Sequence, residues 1–147
     1  METFDFDVID KIYKPFDNLV LAVTLKSDGS MDKKVLGSLT EAYKASPDFP
    51  EDCKRLEEIF INPSLQMVSF TITEKGYALK DSSSAISLVC ALLYKRYKAN
   101  QAPLALVSMD NCSHNGEKLQ KAVLDTAKEW QEKGLSLIHI SEPTRRS

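Results

Sequence analysis

Two apolar runs constrain this chain more than any other feature. LQMVSFTIT (Leu65–Thr73) carries apolar residues on both of its faces, and APLALVSM (Ala102–Met109) is apolar at nearly every position. Such runs suit strands covered on both faces, as in a parallel sheet wrapped by helices. Between them, DSSSAISLVCALLYKRYKAN has helical spacing. Ile86, Val89, Leu93 and Tyr97 share one side, and Lys95, Arg96 and Lys98 lie near the negative end of the helix. Asp81 or a following serine supplies its N-cap. FPEDCKRLEEIFINP reads as the helix before the first run. Pro50, Glu51 and Asp52 suit its first turn, and Leu56, Ile59 and Phe60 form its stripe. NGEKLQKAVLDTAKEWQEKG reads as a third helix, with Leu119, Val123, Ala127 and Trp130 aligned and Gly134 as its stop. Helix, strand, helix, strand, helix implies right-handed crossovers and an α/β fold with a mostly parallel, doubly wound sheet and flanking helices.

The N-terminal part reads differently. DVIDKIYKPF carries a short helical pattern, with Asp7 as cap, Val8, Ile9 and Ile12 on one side, and Pro15 as its stop. NLVLAVTL (Asn18–Leu25) is a strand, and SDGS after it is a turn signal. KVLGSL (Lys34–Leu39) is a second, weaker strand. The two predict a hairpin around Asp28-Gly29, with a loop longer than two residues.

Length and composition set outer bounds. A chain of 147 residues suits one domain with a modest core. Its net charge of −2 argues against nucleic acid and anionic membrane surfaces, which call for a clustered basic face. No apolar run approaches bilayer length, and METFDFDVID lacks a basic leader, so a cytoplasmic protein is expected. Cys53, Cys90 and Cys112 form no C-x-x-C pair, which leaves them as idle or buried thiols. The end of the chain breaks the pattern. LSLIHISEPTRRS (Leu135–Ser147) resembles a translated transposon-end sequencing adapter, so residues 135–147 are set apart as non-native and residues 1–134 as the domain.

In a parallel sheet, ligands bind beyond the carboxyl ends of the strands. Two polar loops follow the two apolar runs. The first holds Thr73, Glu74, Lys75, Gly76 and Tyr77; the second holds Asp110, Asn111, Ser113, His114, Asn115 and Gly116. If the strands are parallel, both loops share one rim. Each residue also has a plainer role. Asp110, Asn111 and Ser113 can cap the following helix, and Asn115 divides evenly between capping and ligand contact. His114 suits an acid or base, or a solvated surface position. Glu74-Lys75 suits a loop ion pair, Gly76 a positive φ, and Tyr77 packing or contact. A neutral amide on this rim could hold a developing alkoxide without adding charge. No G-x-G-x-x-G or G-x-x-x-x-G-K exists, and no metal-ligand cluster or nucleophile triad is visible.

FTITEKGY together with LVSMDNCSHNGEKL resembles the mannitol dehydrogenase family, the long-chain, polyol-specific group that includes fructuronate and tagaturonate reductases. The flanks ETFDFDVIDKIYKPFDNL, IFINPSLQMVSFTITEKGYALK and LLYKRYKANQAPLALVSMDNCSHNG agree, so the resemblance covers nearly all of residues 2–134. It implies a Rossmann-type domain that binds NAD, or NADP, and a metal-free hydride transfer between that cofactor and a sugar alcohol or sugar acid. It places Asn111 at the reacting oxygen as the catalytic amide. It sets Thr73, Glu74, Lys75 and Gly76 beside the cofactor, and leaves Asp110, His114 and Asn115 as substrate-side candidates. It matches Glu2 to the acid that reads the adenosine ribose, which would favour NAD by repelling a 2′-phosphate.

The resemblance also implies parts that this sequence lacks. These are a first strand, glycine-rich loop and helix ahead of Met1, and a helical C-terminal domain with a catalytic lysine. The connection from Tyr77 to Ile86 is also shorter than the family pattern. The expected identity is therefore a piece of a polyol or hexuronate dehydrogenase, inactive by itself. Two other readings stand beside it: a stand-alone, non-catalytic α/β binding module, and a fragment whose uncovered sheet favours aggregation.

Overall fold

The computed structural model describes residues 2–3, 6–72, 76–77 and 84–133. The chain divides into two compact units, residues 1–54 and 55–147.

In the first unit, β1 (Glu2–Thr3) pairs in parallel with β4 (Tyr43–Lys44). Between them come a π-type turn, Val8–Tyr13, a 3₁₀ turn, Lys14–Phe16, and a hairpin of β2 (Val20–Leu25) and β3 (Met31–Leu36). Asp7 does not cap the π-type turn as expected. Its backbone is itself helical, and its carboxylate pairs with Lys11 Nζ at 2.7 Å. Pro15 sits inside the 3₁₀ turn, and Asp17 ends it with φ 52°.

The hairpin forms where expected, but its second strand lies three residues earlier than Lys34–Leu39. The turn sets this register. Gly29 takes φ 82°, and Asp28 Oδ1 accepts from the Ser30 N–H (2.9 Å) and hydroxyl (2.7 Å). Ser30's hydroxyl and N–H hold the Asp28 carboxyl below its ordinary value. Lys26 N–H donates to Ser30 O at 3.0 Å, so pairing starts at Leu25↔Met31 and ends at Val20↔Leu36. The polar triplet Asp32-Lys33-Lys34 conceals this strand in the sequence. One face of the ribbon carries Leu21, Val23, Leu25, Met31 and Val35, and all five are exposed.

From Pro50 on the expected alternation holds: α1 (Pro50–Ile61, its first five residues in the first unit), β5 (Met67–Phe70), α2 (Ala85–Ala99), β6 (Ala105–Ser108) and α3 (Asn115–Glu132). The strands β5 and β6 are parallel, in register from Met67↔Ala105 to Phe70↔Ser108. Ser84 caps α2, its Oγ accepting from the Ser87 N–H at 3.2 Å; Asp81 and Gly134 lie outside the described residues. Ile86, Val89, Cys90 and Leu92 of α2 are buried with Leu119, Val123 and Ala127 of α3, and the two helices pack together. The Cys90 thiol points at Val123 O across that contact. Burial along β5 alternates, with Phe70 buried, Val68 half-buried, and Met67 and Ser69 exposed. One face of the strand is therefore open, although its apolar composition predicts cover on both. Among the described residues no helix is long and apolar enough to cross a membrane.

Arg96 is where sequence and structure part most. Its position predicts a cation near the negative end of the helix, but not its burial: it is only 2% exposed. An arginine has five N–H donors, and its three nitrogens donate five hydrogen bonds to carbonyls. Nε reaches Ala102 O (2.9 Å), Nη1 reaches Phe60 O (2.5 Å) and Asn62 O (2.7 Å), and Nη2 reaches Leu65 O (2.9 Å) and Pro103 O (3.1 Å). Leu65 and Pro103 each lie two residues ahead of their strand, so one nitrogen bridges two positions that are level in the continued β5–β6 register. Phe60 O belongs to the last turn of α1, whose carbonyls have no partner within the helix. Asn100 Nδ2 takes the neighbouring Ile61 O.

Replacing Arg96 with leucine should cost about 3–5 kcal/mol, because one buried and four part-buried carbonyl bonds are lost at once. Urea unfolding monitored by circular dichroism measures this, and a loss under about 1 kcal/mol contradicts it. Burial pushes the Cys90 thiol up to about 12 from 9.0. The buried neutral thiol therefore contributes stability that is complete below pH 9 and lost as pH rises toward about 12. Thermal unfolding across that range should show the decline, and Cys90→Ala should flatten it.

Candidate functional site at the strand-end rim

Because β5 and β6 are parallel, Phe70 and Ser108 end on the same side, and the Met109 N–H extends the ladder to Phe70 O at 2.9 Å. The loops that follow leave from one rim, as the sequence predicts. Of the first loop, Thr73, Glu74 and Lys75 lie outside the described residues, and Gly76 and Tyr77 lie within them. Gly76 does not take a positive φ; among described glycines only Gly29 does. Its role is close approach, since a Cβ there would sit 3.3 Å from Ile72 Cβ. Glu2 falls on a strand, β1, and its side chain lies outside the described residues.

Tyr77 joins the two loops. Its hydroxyl donates to Asp110 Oδ2 and shares a 2.7 Å hydrogen bond with Ser108 Oγ. Burial, and then the hydrogen bond to the Asp110 carboxylate, raise the phenol above its ordinary value. This tyrosine is more than packing. The sequence signal for it was weak: a phenol near a rim, which needs a polar partner wherever it is partly buried.

The second loop is held from within. Asn115 Nδ2 donates to Asp110 O at 2.8 Å and to Ser108 O at 3.4 Å, and its Oδ1 accepts from the Gly116 N–H at 2.7 Å. The Cys112 N–H also donates to Asp110 O, at 3.0 Å. The expected caps fail here. Residue 114, not Asp110, Asn111 or Ser113, stands at the N-cap of α3, and His114 makes no side-chain cap bond. The Asp110 carboxylate is committed to Tyr77 and the Asn115 amide to the strand end, so neither is free to cap the helix. His114 is exposed, left-handed at φ 56°, and its Nδ1 is 3.4 Å from Glu117 Oε2. Asn111 is exposed, and its side chain has no hydrogen-bond partner among the described residues.

The rim thus brings Tyr77, Ser108, Asp110 and Asn115 into one network and leaves the Asn111 amide open to a ligand. Such an amide can donate to an oxygen that gains negative charge, and a parallel strand end is where a nucleotide would lie. Among the described residues no three His, Cys, Asp or Glu side chains gather at one point. His114→Gly should raise stability by about 0.5–1 kcal/mol, because glycine takes the left-handed conformation without a Cβ clash. A lower melting temperature for that variant would contradict the assignment.

Comparison with known proteins gives a consistent answer. Residues 7–141 match the family model described as the mannitol dehydrogenase Rossmann domain. The D-mannonate oxidoreductase of Thermotoga maritima is 46% identical over 154 aligned positions, covering 92% of this chain and 28% of that protein. A crystal structure of D-sorbitol dehydrogenase in substrate-free form superposes with a TM-score of 0.69 at 25% identity, over 82% of this chain and 28% of that one. The mannitol 2-dehydrogenase of Pseudomonas fluorescens, solved in ternary complex with NAD and D-mannitol, superposes with a TM-score of 0.68 at 23% identity, over 87% and 28%. The chain therefore spans about 28% of the length of the relatives it matches.

Proposed function

Because the chain belongs to the mannitol dehydrogenase family and carries its Rossmann domain, we propose that it is part of an NAD-dependent oxidoreductase acting on a sugar alcohol or sugar acid. The observation that carries this reading is the free Asn111 amide on a strand-end rim where Tyr77, Ser108, Asp110 and Asn115 are already paired with one another. NAD, or NADP, supplies the hydride acceptor or donor when bound.

Asn111 donates a hydrogen bond to the substrate oxygen, which changes between carbonyl and alcohol. A neutral amide suits both forms, because it strengthens its bond as charge develops and needs no proton of its own. Thr73, Glu74, Lys75 and Gly76 line the cofactor side. Glu2 reads the adenosine ribose and disfavours a 2′-phosphate, which makes NAD the preferred cofactor. Of the substrate-side candidates, Asp110 and Asn115 act from behind through their hydrogen bonds, and exposed His114 lies at the margin.

The similarity to a D-mannonate oxidoreductase favours a hexuronate substrate over an uncharged polyol. The general base and the remaining substrate contacts belong to sequence outside these 147 residues, in the helical C-terminal domain that the family resemblance implies. A cytoplasmic setting suits a reaction that draws on the NAD pool.

The test uses a polypeptide completed to the length of its relatives, assayed with NADH and fructuronate. Asn111→Ala should lower kcat by about 10²–10³-fold, the usual cost of one oxyanion donor, and leave the KM for NADH within about twofold. Normal turnover by that variant would refute the role of Asn111. Turnover by the 147-residue chain alone would refute the need for the rest.

A further inference from the structure

We propose that Tyr77 and Asn115 are positioning residues that clamp Asp110 from two sides and so present Asn111 to the reacting oxygen. The inference rests on the role proposed above for Asn111.

Asp110 is the residue immediately before Asn111, and each of its polar groups has a partner. Its carboxylate accepts from the Tyr77 hydroxyl. Its carbonyl accepts from Asn115 Nδ2 at 2.8 Å and from the Cys112 N–H at 3.0 Å. Its N–H lies 3.5 Å from Ser108 Oγ, which in turn shares a 2.7 Å bond with the Tyr77 hydroxyl. The fixed point reaches back to β6, because Asn115 Nδ2 also lies 3.4 Å from Ser108 O. An anchored residue therefore precedes an exposed, unpartnered one.

That arrangement answers a physical need. A hydrogen-bond donor for a developing oxyanion works only if it is held within about 0.5 Å of its productive place, and exposed loops do not hold side chains that well. Plainer roles account for less of the geometry. A helix-start asparagine accepts from amides two or three residues on. Asn115 accepts only from the next residue and turns its donor back toward the strand. A packing tyrosine needs no hydroxyl, yet this one bonds to both loop partners.

Two substitutions separate clamp from scaffold, in the polypeptide completed to the length of its relatives. Tyr77→Phe keeps the ring and removes the hydroxyl. Asn115→Asp keeps the oxygen that accepts from Gly116, suits a helix start, and removes the donor to Asp110. Each should lower kcat by about tenfold or more with the KM for NADH unchanged, and amide exchange across residues 110–114 should speed up by a similar factor. Melting temperature should stay near that of the parent. In the double variant the losses should be less than additive, since both act through Asp110.

Unchanged exchange overturns the clamp. Faster exchange with normal kcat overturns the positioning role, and so does a kcat loss matched by a general fall in melting temperature. Normal turnover by Asn111→Ala refutes the reading of Asn111 and with it the purpose of the clamp, while the exchange data still report whether the clamp exists.

Discussion

Arg96 holds the second unit in register. A buried guanidinium is costly to take from water, and here backbone carbonyls offset that cost. Its five bonds gather the end of α1, the approach to β5 and the approach to β6. Two parallel strands have no turn to set their register, unlike a hairpin. Nη2 fills that gap by bridging Leu65 O and Pro103 O, two residues ahead of the paired strands. Whatever happens at the carboxyl ends of β5 and β6 depends on this clasp at their amino ends. A one-residue slip would exchange the faces of the slipped strand and separate Tyr77 from Ser108 and Asp110.

The rim repeats the same logic with opposite charge. At one end of the strand pair a cation collects carbonyls; at the other a carboxylate collects a phenol and an amide collects two carbonyls. Both ends spend their polar groups on holding backbone in place. The difference is that the rim leaves one amide, Asn111, unspent. The hairpin of the first unit is the contrary case, since its turn is well bonded but one apolar face is exposed. A two-stranded ribbon of that kind draws little stability from itself.

How much was legible in the sequence follows from which interactions are local. The alternation of α1, β5, α2, β6 and α3 is written in periodicity, and it is correct. The turn at Asp28-Gly29 is written in residue type, and it is correct. The start of β3 was not legible, because pairing with β2 across the turn overrode three polar residues. Arg96 was only partly legible for the same reason: helix position placed a cation near the negative end, but its partners lie 31 to 36 residues back and six to seven ahead. At the rim, the convergence of two loops was visible, and the division of labour within them was not. Nothing in DNCSHNG says that Asp110 and Asn115 face inward and Asn111 outward. Thr73, Glu74 and Lys75 lie outside the described residues and remain part of the proposal.

The central claim is that the rim keeps one amide free for a ligand and commits the other. The side-chain ¹⁵N–¹H resonances of Asn111 and Asn115 report on this directly. They would be recorded in the polypeptide completed to the length of its relatives, before and after addition of NADH and a non-reacting sugar acid. The account predicts that the Asn111 amide shifts and becomes protected while that of Asn115, already bonded to Asp110 O, stays in place. A shift of Asn115 with Asn111 unmoved would contradict it.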